Sequence, residues 1–383
     1  MSLDAASSLA RNAVHLLPEN GLEEKLRLDR PLRVKLGIDV TSPDIHVGRA
    51  IPLQRMRAFQ DAGHVGVLIV GDYTTRIGDP SGRSAERPVL PGEILDANAK
   101  EFAQQAYRII DERRTVVRFN GEWLGELSYE NTVRLCRTMT VARLLERDDF
   151  AKRFAAHAPI SLSELLYPLM QAYDSVAIEA DVELGGTDQL YNLLMGREVM
   201  QSYGVEPQVA LTVELLLSWD GQLMSQSKGN YMGLADAPEE QFGKTMRISD
   251  EQLPQWYELV MEQAVPGGDP LEAKLELARY IVTRSHGEEA ARAAEEHFTR
   301  VVREGRAPDD VPEVPLPNGD PVHLPALLVE LGLPSTSEAR RLIAQGGVRV
   351  NGEAITEVDV PRATLEGALV QAGKRRFARL TVP

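Results

Sequence analysis

Leu32-Arg33-Val34-Lys35-Leu36-Gly37-Ile38, with Val65-Gly66-Val67-Leu68-Ile69-Val70 a helix's length further on, decides the fold. The first stretch alternates apolar and polar residues and then runs apolar, as a strand does on entering a core. The second is a continuous apolar run, the pattern of a strand buried on both faces. Between them, about Val47 to Ala62 predicts a helix, with Gly63 as its stop signal. Strand, helix, strand at this spacing is a βαβ unit.

Outward from this unit the alternation repeats. A helix is predicted over Gly92–Asp111, a short strand over Val116–Phe119, and helical stretches over Tyr129–Tyr173. Val176–Leu184 reads as a strand, Asp188–Tyr203 as a helix and Val209–Leu217 as another strand. Residues 1–235 thus read as an α/β, doubly wound, Rossmann-like parallel sheet with a helical insertion at about 125–175. Residues 236–305 are periodic helical sequence, for example Glu272–Ser285 and Glu288–Arg303, and predict an all-α domain. Residues 306–321 hold Pro308, Pro312, Pro315, Pro317 and Pro321 and read as a linker. Residues 322–383 look like a separate small α+β module.

Composition narrows the function classes. A chain of 383 residues suggests two or three domains and buries a sizeable core without staples. Cys136 is the single cysteine, so an internal disulfide is excluded, and no Cys/His cluster has zinc-ligand spacing. No metal site is expected. The start shows no positive cluster followed by an apolar core, and no run approaches a membrane span, so a cytoplasmic protein off the membrane is expected. The net charge of −15 argues against non-specific nucleic-acid binding by the chain as a whole.

In open α/β sheets, ligands bind beyond the carboxyl ends of the strands. After the first strand come Asp39, Thr41, His46, Gly48 and Arg49, where a loop becomes a helix. A helix N-terminus offers free N–H groups to phosphate, glycine permits close approach, and imidazole can donate to a phosphate oxygen. A surface histidine with a capping glycine fits the same residues. After the second strand, Thr74 leads into Gly78-Asp79-Pro80-Ser81-Gly82, with Arg83 and Arg87 beyond. Asp79 suits an ammonium group and the arginines a polyphosphate; a capped turn with solvated arginines is the plain alternative. Tyr167, Gln171 and Asp174, spaced by four and three, share one helix face. Gly185-Gly186-Thr187-Asp188-Gln189 joins a strand to a helix, where Asp188 can accept from ribose hydroxyls or merely cap the helix. Met224, Ser225, Gln226, Ser227 and Lys228 form a small, polar loop with one cation, fit to close over phosphates or simply to move.

At four strand ends in one order, these pieces resemble the bacterial tyrosyl-tRNA synthetases, class I enzymes, and the second of their two subfamilies. The resemblance covers nearly the whole chain. It implies that tyrosine attacks the α-phosphorus of ATP, giving tyrosyl-adenylate and pyrophosphate, and that the tyrosyl group then passes to the 3′ end of tRNA(Tyr). Catalysis in such enzymes is positioning plus charge stabilisation on the leaving pyrophosphate. The resemblance implies no tightly bound cofactor, ATP as a substrate with Mg2+, and a homodimer joined through the insertion. Asp79, Tyr167 and Gln171 would hold the tyrosine ammonium near Thr74, Asp174 the phenol and Gln189 the carboxyl group. Gly186 and Asp188 would hold the ribose, and Asp39, Thr41, His46 and Gly48 the rest of ATP. The loop of Met224, Ser225, Gln226, Ser227 and Lys228 would close over pyrophosphate with Arg83 and Arg87.

The chain departs from the family's usual spelling. Arg49 stands where a histidine is usual, Leu223 and Gln226 replace two lysines of the mobile loop, and Val40 replaces a proline. Lys35 stands where many relatives carry a second tyrosine that touches the phenol. Arg49 and Lys228 are expected to supply the missing phosphate charge. These departures also motivate a second reading, a catalytically impaired synthetase-like RNA-binding protein, and a third, a nucleotidyltransferase making another adenylate.

The tail resembles the RNA-binding module of ribosomal small-subunit protein four. Ser335–Ile343 reads as a capped helix bearing Arg340 and Arg341, and Gly346–Gly352 as a strand entering a hairpin turn. From His323 onward eight basic residues, among them Lys374, Arg375 and Arg376, face six acidic ones, so the tail carries +2 and the rest −17. A locally basic module on an acidic body points to tRNA contact there, and the resemblance to the synthetases implies that residues 236–305 meet the anticodon arm.

Overall fold

Arg33–Ile38 and Val65–Val70 pair in parallel without slip, from Arg33 opposite Val65 to Ile38 opposite Val70. They belong to a six-stranded sheet in a computed structural model that describes residues 3–40, 42–79, 91–226, 228–304, 311–373 and 376–382. Its strands are β1 (Ala13–Leu17), β2 (Arg33–Ile38), β3 (Val65–Val70), β4 (Thr115–Phe119), β5 (Val182–Gly186) and β6 (Val209–Val213), in the spatial order β1-β6-β5-β2-β3-β4. The pairs β6–β5, β5–β2, β2–β3 and β3–β4 are parallel, while β1 closes one edge antiparallel to β6. The chain winds outward from β2 to β4 on one side, and β5 and β6 fill the other. The strand order therefore reverses between β2 and β5, and the crevice for a ligand lies beyond their carboxyl ends.

Four helices position the site: α1 (Val47–Asp61), α2 (Gly92–Ala106), α3 (Leu162–Ile178) and α4 (Leu190–Ser202). Helix α1 is the β2–β3 crossover and buries Leu53, Met56 and Phe59. Short helices of the insertion start on hydroxyl caps: Ser128 accepts the N–H of Asn131, and Thr140 that of Arg143. Ser161 and Glu164 form a reciprocal capping box at the start of α3. Leu135 and Leu144 of the insertion pack with Leu169 and Ala172 of α3 and Met195 and Val199 of α4.

Two elements differ from the sequence expectation. Val176–Leu184 is not one strand: α3 continues to Ile178, Glu179 closes it in the left-handed region at φ 46°, and β5 begins at Val182. The apolar run serves a helix and a strand in turn, and no glycine marks the change. Strand β1 has no counterpart in the sequence pattern; it is short and needs the preformed edge of β6 to pair with, where His15 Nδ1 meets Thr212 Oγ1 at 2.8 Å.

The chain divides into two compact units, Met1–Ala237 with Lys244–Leu277, and Pro238–Gly243 with Ala278–Pro383. Helices occupy Pro270–His286 and Glu288–Phe298. In the second unit, a five-stranded sheet has its own core of Leu324, Leu327, Leu328, Ile343, Val370 and Leu380. Ser335 caps the helix Thr336–Ala344 by accepting the N–H of Glu338. Val348–Val350 turns through Asn351 (φ 51°) and Gly352 (φ 90°) to pair with Glu353–Ala354, as the hairpin signal predicts. Glu313–Pro315, in the proline-rich stretch, pairs in parallel with Arg376–Thr381. Among the described residues no helix is long and apolar enough to cross a membrane.

Candidate active site

A cleft of about 360 Å³ opens at the reversal point between β2 and β5, of a size to take a small ligand. Asp39, one residue beyond β2, is its hub. Its Oδ1 accepts from Thr74 Oγ1 at 2.9 Å and its Oδ2 from the hydroxyl of Tyr167 at 3.0 Å, tying the β2 and β3 loops to α3. Gly71 makes this possible. A Cβ there would lie 2.4 Å from both Asp39 Oδ1 and Thr74 Oγ1, so only hydrogen fits beneath the pair.

One end of the cleft is closed by Asp174, which is 3 % exposed. Trp123 Nε1 donates to its Oδ1 at 2.8 Å, and Asn120 Nδ2 lies 3.3 Å from its Oδ2 and 3.0 Å from Thr74 Oγ1. Burial pushes the Asp174 carboxyl up to about 7, against the pull of Lys35 and the two hydrogen bonds; Glu183 adds to the rise. Such a carboxylate, already bound by two donors, can accept one more from a hydroxyl. Asn120 and Trp123 are not among the residues that the sequence singles out. They follow β4, where Asn120-Gly121-Glu122 has the look of an ordinary turn.

The middle of the cleft holds Gln171, whose Oε1 is buried with no hydrogen-bond partner among the described residues. An orphan acceptor beside Tyr167 suits a ligand N–H. Asp79 also lines the cleft, and Gln189 Nε2 donates to its Oδ2 at 2.8 Å. Arg147, from the insertion and 6 % exposed, approaches Asp79 Oδ1 at 3.4 Å and pairs with Asp149 at 2.8 Å. Arg147 is likewise unforeseen: nothing in the local sequence places it beside Asp79, 68 positions earlier.

Gly186 and Asp188 form the floor on the β5 side. A Cβ on Gly186 would meet Asp188 Oδ1 and Leu215 at 2.5 Å, so the bare backbone is required where the carboxylate folds back. On the opposite wall His46 caps α1. Its Nδ1 accepts the backbone N–H of Arg49 at 3.3 Å, which assigns the ring proton to Nε2. Burial, and then the charge of Arg49, drives His46 down to about 3, so the ring is neutral at ordinary pH and remains a donor. Gly48 and Arg49 follow it on the cleft wall, and Met224 faces Gly48.

The loop after β6 is held by Asn230, 5 % exposed. Its Oδ1 accepts the Ser225 N–H at 2.9 Å, and its Nδ2 donates to Asp220 at 3.0 Å and to the Leu223 carbonyl at 3.2 Å. Gln226 Nε2 donates to the Asp44 carbonyl at 3.2 Å. Lys228 is exposed, contacts Gln222 Oε1 at 3.4 Å, and does not line the cleft. Lys35 does not line it either. It is wholly buried in an ion pair with Glu183. In the tail, Arg341 and Arg376 border a hollow of about 440 Å³ beside Glu338, and Arg340 is exposed on the same helix as Arg341. Thr41, Arg83, Arg87, Ser227, Lys374 and Arg375 lie outside the described residues.

Residues 27–303 match the family described as tRNA synthetases class I (W and Y), and residues 324–360 match the S4 domain. A curated tyrosine–tRNA ligase of Moorella thermoacetica is 48 % identical over 97 % of this chain and 94 % of its own length. That of Haemophilus influenzae is 46 % identical over 98 % and 96 %. Among solved structures, a C-terminally truncated mitochondrial tyrosyl-tRNA synthetase of Aspergillus nidulans superposes with a TM-score of 0.63 at 20 % identity, covering 76 % of this chain and 92 % of that one. The Archaeoglobus fulgidus tyrosyl-tRNA synthetase complexed with L-tyrosine gives 0.60 at 21 % identity, covering 76 % and 98 %. At such identities the solved structures bear on the fold alone. The sheet reversal, the cleft at it and the match across most of the chain agree: this chain belongs to the class I tRNA synthetases (W and Y), and it carries an S4 domain.

Proposed function

We infer that the chain is a tyrosine–tRNA ligase: it activates L-tyrosine with ATP to tyrosyl-adenylate and pyrophosphate, then transfers tyrosine to the 3′ end of tRNA(Tyr). The observation that carries the amino-acid choice is Asp174, a buried carboxylate at the closed end of the cleft, held from behind by Trp123 and Asn120. A phenol hydroxyl completes its hydrogen bonding, whereas phenylalanine leaves it desolvated and short of a donor. Tyrosine enzymes are themselves the well-known example of such rejection without editing, so the preference is a property of the family and not a new expectation.

In this reading Gln171 Oε1, Tyr167 and Asp79 receive the ammonium group and Gln189 the carboxylate. Gly186 and Asp188 take the ribose. His46 Nε2–H, Gly48 and Arg49 face the phosphates, with the loop of Met224, Ser225, Gln226 and Lys228 closing over them. Mg2+ enters with ATP as part of the substrate. The reaction is a displacement at the α-phosphorus by the tyrosine carboxylate. Binding holds the two in line, and donors on the leaving pyrophosphate stabilise the charge that grows there. Arg49 stands on the cleft wall already; Lys228 reaches the phosphates only on leaving Gln222. The S4 domain, through Arg340, Arg341, Lys374, Arg375 and Arg376, and the helices of 236–305 meet the tRNA.

The insertion also offers a surface to a second copy. Its Tyr129, Val141, Phe154 and Leu162 are large, apolar and well exposed, at 85 %, 60 %, 62 % and 73 %. A second copy covering them makes the homodimer. The protein works in the cytoplasm. The reading of a catalytically impaired RNA-binding relative is not favoured, because curated relatives matched along nearly the whole chain are ligases.

Exchange of label between pyrophosphate and ATP is the deciding assay. Exchange that depends on tyrosine is expected. Exchange with tryptophan in place of tyrosine would correct the substrate, and none with either would remove the activity.

A further inference from the structure

Beneath the amino-acid end of the cleft lies a buried ion pair that the reaction itself does not touch. Lys35 on β2 is 0 % exposed and Glu183 on β5 is 2 % exposed. The Lys35 ammonium spends its three N–H donors on Glu183 Oε1 at 2.9 Å, Ser175 Oγ at 2.7 Å and the carbonyl of Gln171 at 2.9 Å. Glu183 Oε2 accepts in turn from Ser175 Oγ at 2.9 Å and Gln208 Nε2 at 2.7 Å. Gln171 and Ser175 are the two ends of the α3 turn that carries Asp174. The ammonium therefore grips that turn from below, while Trp123 and Asn120 grip the carboxylate from above.

We propose that Lys35 and Glu183 are positioning residues for recognition of the substrate hydroxyl: the ammonium keeps the Asp174 turn in place and sets its positive charge beneath the carboxylate, and Glu183 limits that pull. This role rests on the tyrosine reading above and assigns the pH range of the site to one ion pair. The charged groups facing Asp174 are few. Lys35 comes from β2 and Glu183 from β5; Asp39 lies on the far side of Thr74. Arg118 stacks on the outer face of Trp123 at 5.2 Å and is paired with Glu122. Asn120, Trp123 and Thr74 are neutral. Lys35 is the stronger of the two charges acting on Asp174, and the two act in opposite directions. An opposite charge at short range lowers a carboxylate's proton affinity, and a like charge raises it.

The test compares Lys35→Gln with Glu183→Gln in the full-length chain. Tyrosine affinity is measured by equilibrium dialysis from pH 5 to 9, alongside KM and kcat in the exchange assay. Lys35→Gln is expected to raise the acid-side midpoint of tyrosine binding by about one pH unit and to raise KM about tenfold near neutrality, with kcat little changed. Glu183→Gln is expected to lower the midpoint. Residues that merely hold the fold together would move melting temperature and leave the midpoint where it is. Midpoints that stay put, or move in the same direction in both variants, overturn the proposal while leaving the tyrosine reading intact. A wild-type chain that binds no tyrosine overturns both. Should a single variant not fold, the double variant Lys35→Gln, Glu183→Gln, which buries no lone charge, takes its place. Its midpoint is expected above that of the wild type because the stronger charge is gone, and an unchanged or lower value counts against the proposal.

Discussion

Trp123 Nε1 donates to Asp174 Oδ1 at 2.8 Å, and the indole thereby supports a carboxylate of the cleft wall without lining the cleft itself. The hydrogen bond favours the charged carboxylate, which burial opposes. Trp123→Phe keeps a ring and removes the donor. The expected result is a tyrosine KM higher by about tenfold or more at pH 7, as for loss of a hydrogen bond to a charged group, with a smaller change in kcat. An unchanged KM with a lowered kcat would place Trp123 outside substrate recognition.

His46 sets a pH dependence of a different sign from Asp174. Its folded-state value, near 3, lies below the ordinary 6.5 of an unfolded chain. Between those values the folded protein binds fewer protons than the unfolded one, so stability is full above about 6.5 and falls as pH drops toward 3. Urea titrations at pH 7 and 5 are expected to show the wild type losing about 1–2 kcal/mol more than His46→Asn over that interval. Equal losses would mean that His46 titrates normally in the fold. No inflection from this ring is expected in activity near pH 6.5.

Gly71→Ala tests the hub at Asp39. The new methyl lies 2.4 Å from Asp39 Oδ1 and Thr74 Oγ1, and those groups are bonded to each other and, through Asp39, to Tyr167. Relief requires that the bonds break. Destabilisation of about 1–3 kcal/mol is expected from such overpacking, together with loss of most exchange activity. A variant as active as the wild type would show that Asp39 can move without cost to the reaction.

Asn230 separates loop order from amino-acid binding. Asn230→Ala removes its bonds to Asp220, Ser225 and Leu223 and leaves the bonds around Asp174 and Asp39 untouched. The expected outcome is a raised KM for ATP with tyrosine affinity unchanged in equilibrium dialysis. A change in tyrosine affinity alone would contradict a role confined to the loop after β6.

For the tail, Arg341→Ala and Arg376→Ala should each weaken tRNA binding and reduce the slope of log affinity against log salt by roughly one. Tyrosine-dependent exchange without tRNA should be unaffected. An unchanged salt slope in both would move the RNA contact away from this hollow.

Much of this architecture is written locally. The alternation of Leu32–Ile38, the continuous apolar run of Val65–Val70 and the stop at Gly63 specify a βαβ unit, because a strand buried on both faces is apolar throughout unless a buried partner, as Glu183 is for Lys35, meets its charge. The hairpin at Asn351-Gly352 and the cap at Ser335 follow equally from local chemistry. The spacing of Tyr167, Gln171 and Asp174 places them on one face of α3, and the cleft at the end of β2 follows from the strand pattern. What stands opposite each residue was decided elsewhere. Asp39 faces Tyr167 across 128 positions of sequence, Asp174 faces Trp123 across 51, and Lys35 faces Glu183 across 148. The helix–strand junction at Glu179 and the edge strand β1 likewise depend on neighbours that exist only after folding. Periodicity and turn chemistry act over a few residues and are visible in the sequence. Hydrogen bonds and the effective charge of a buried group depend on distance and on the exclusion of water, and only the assembled sheet and its helices set those.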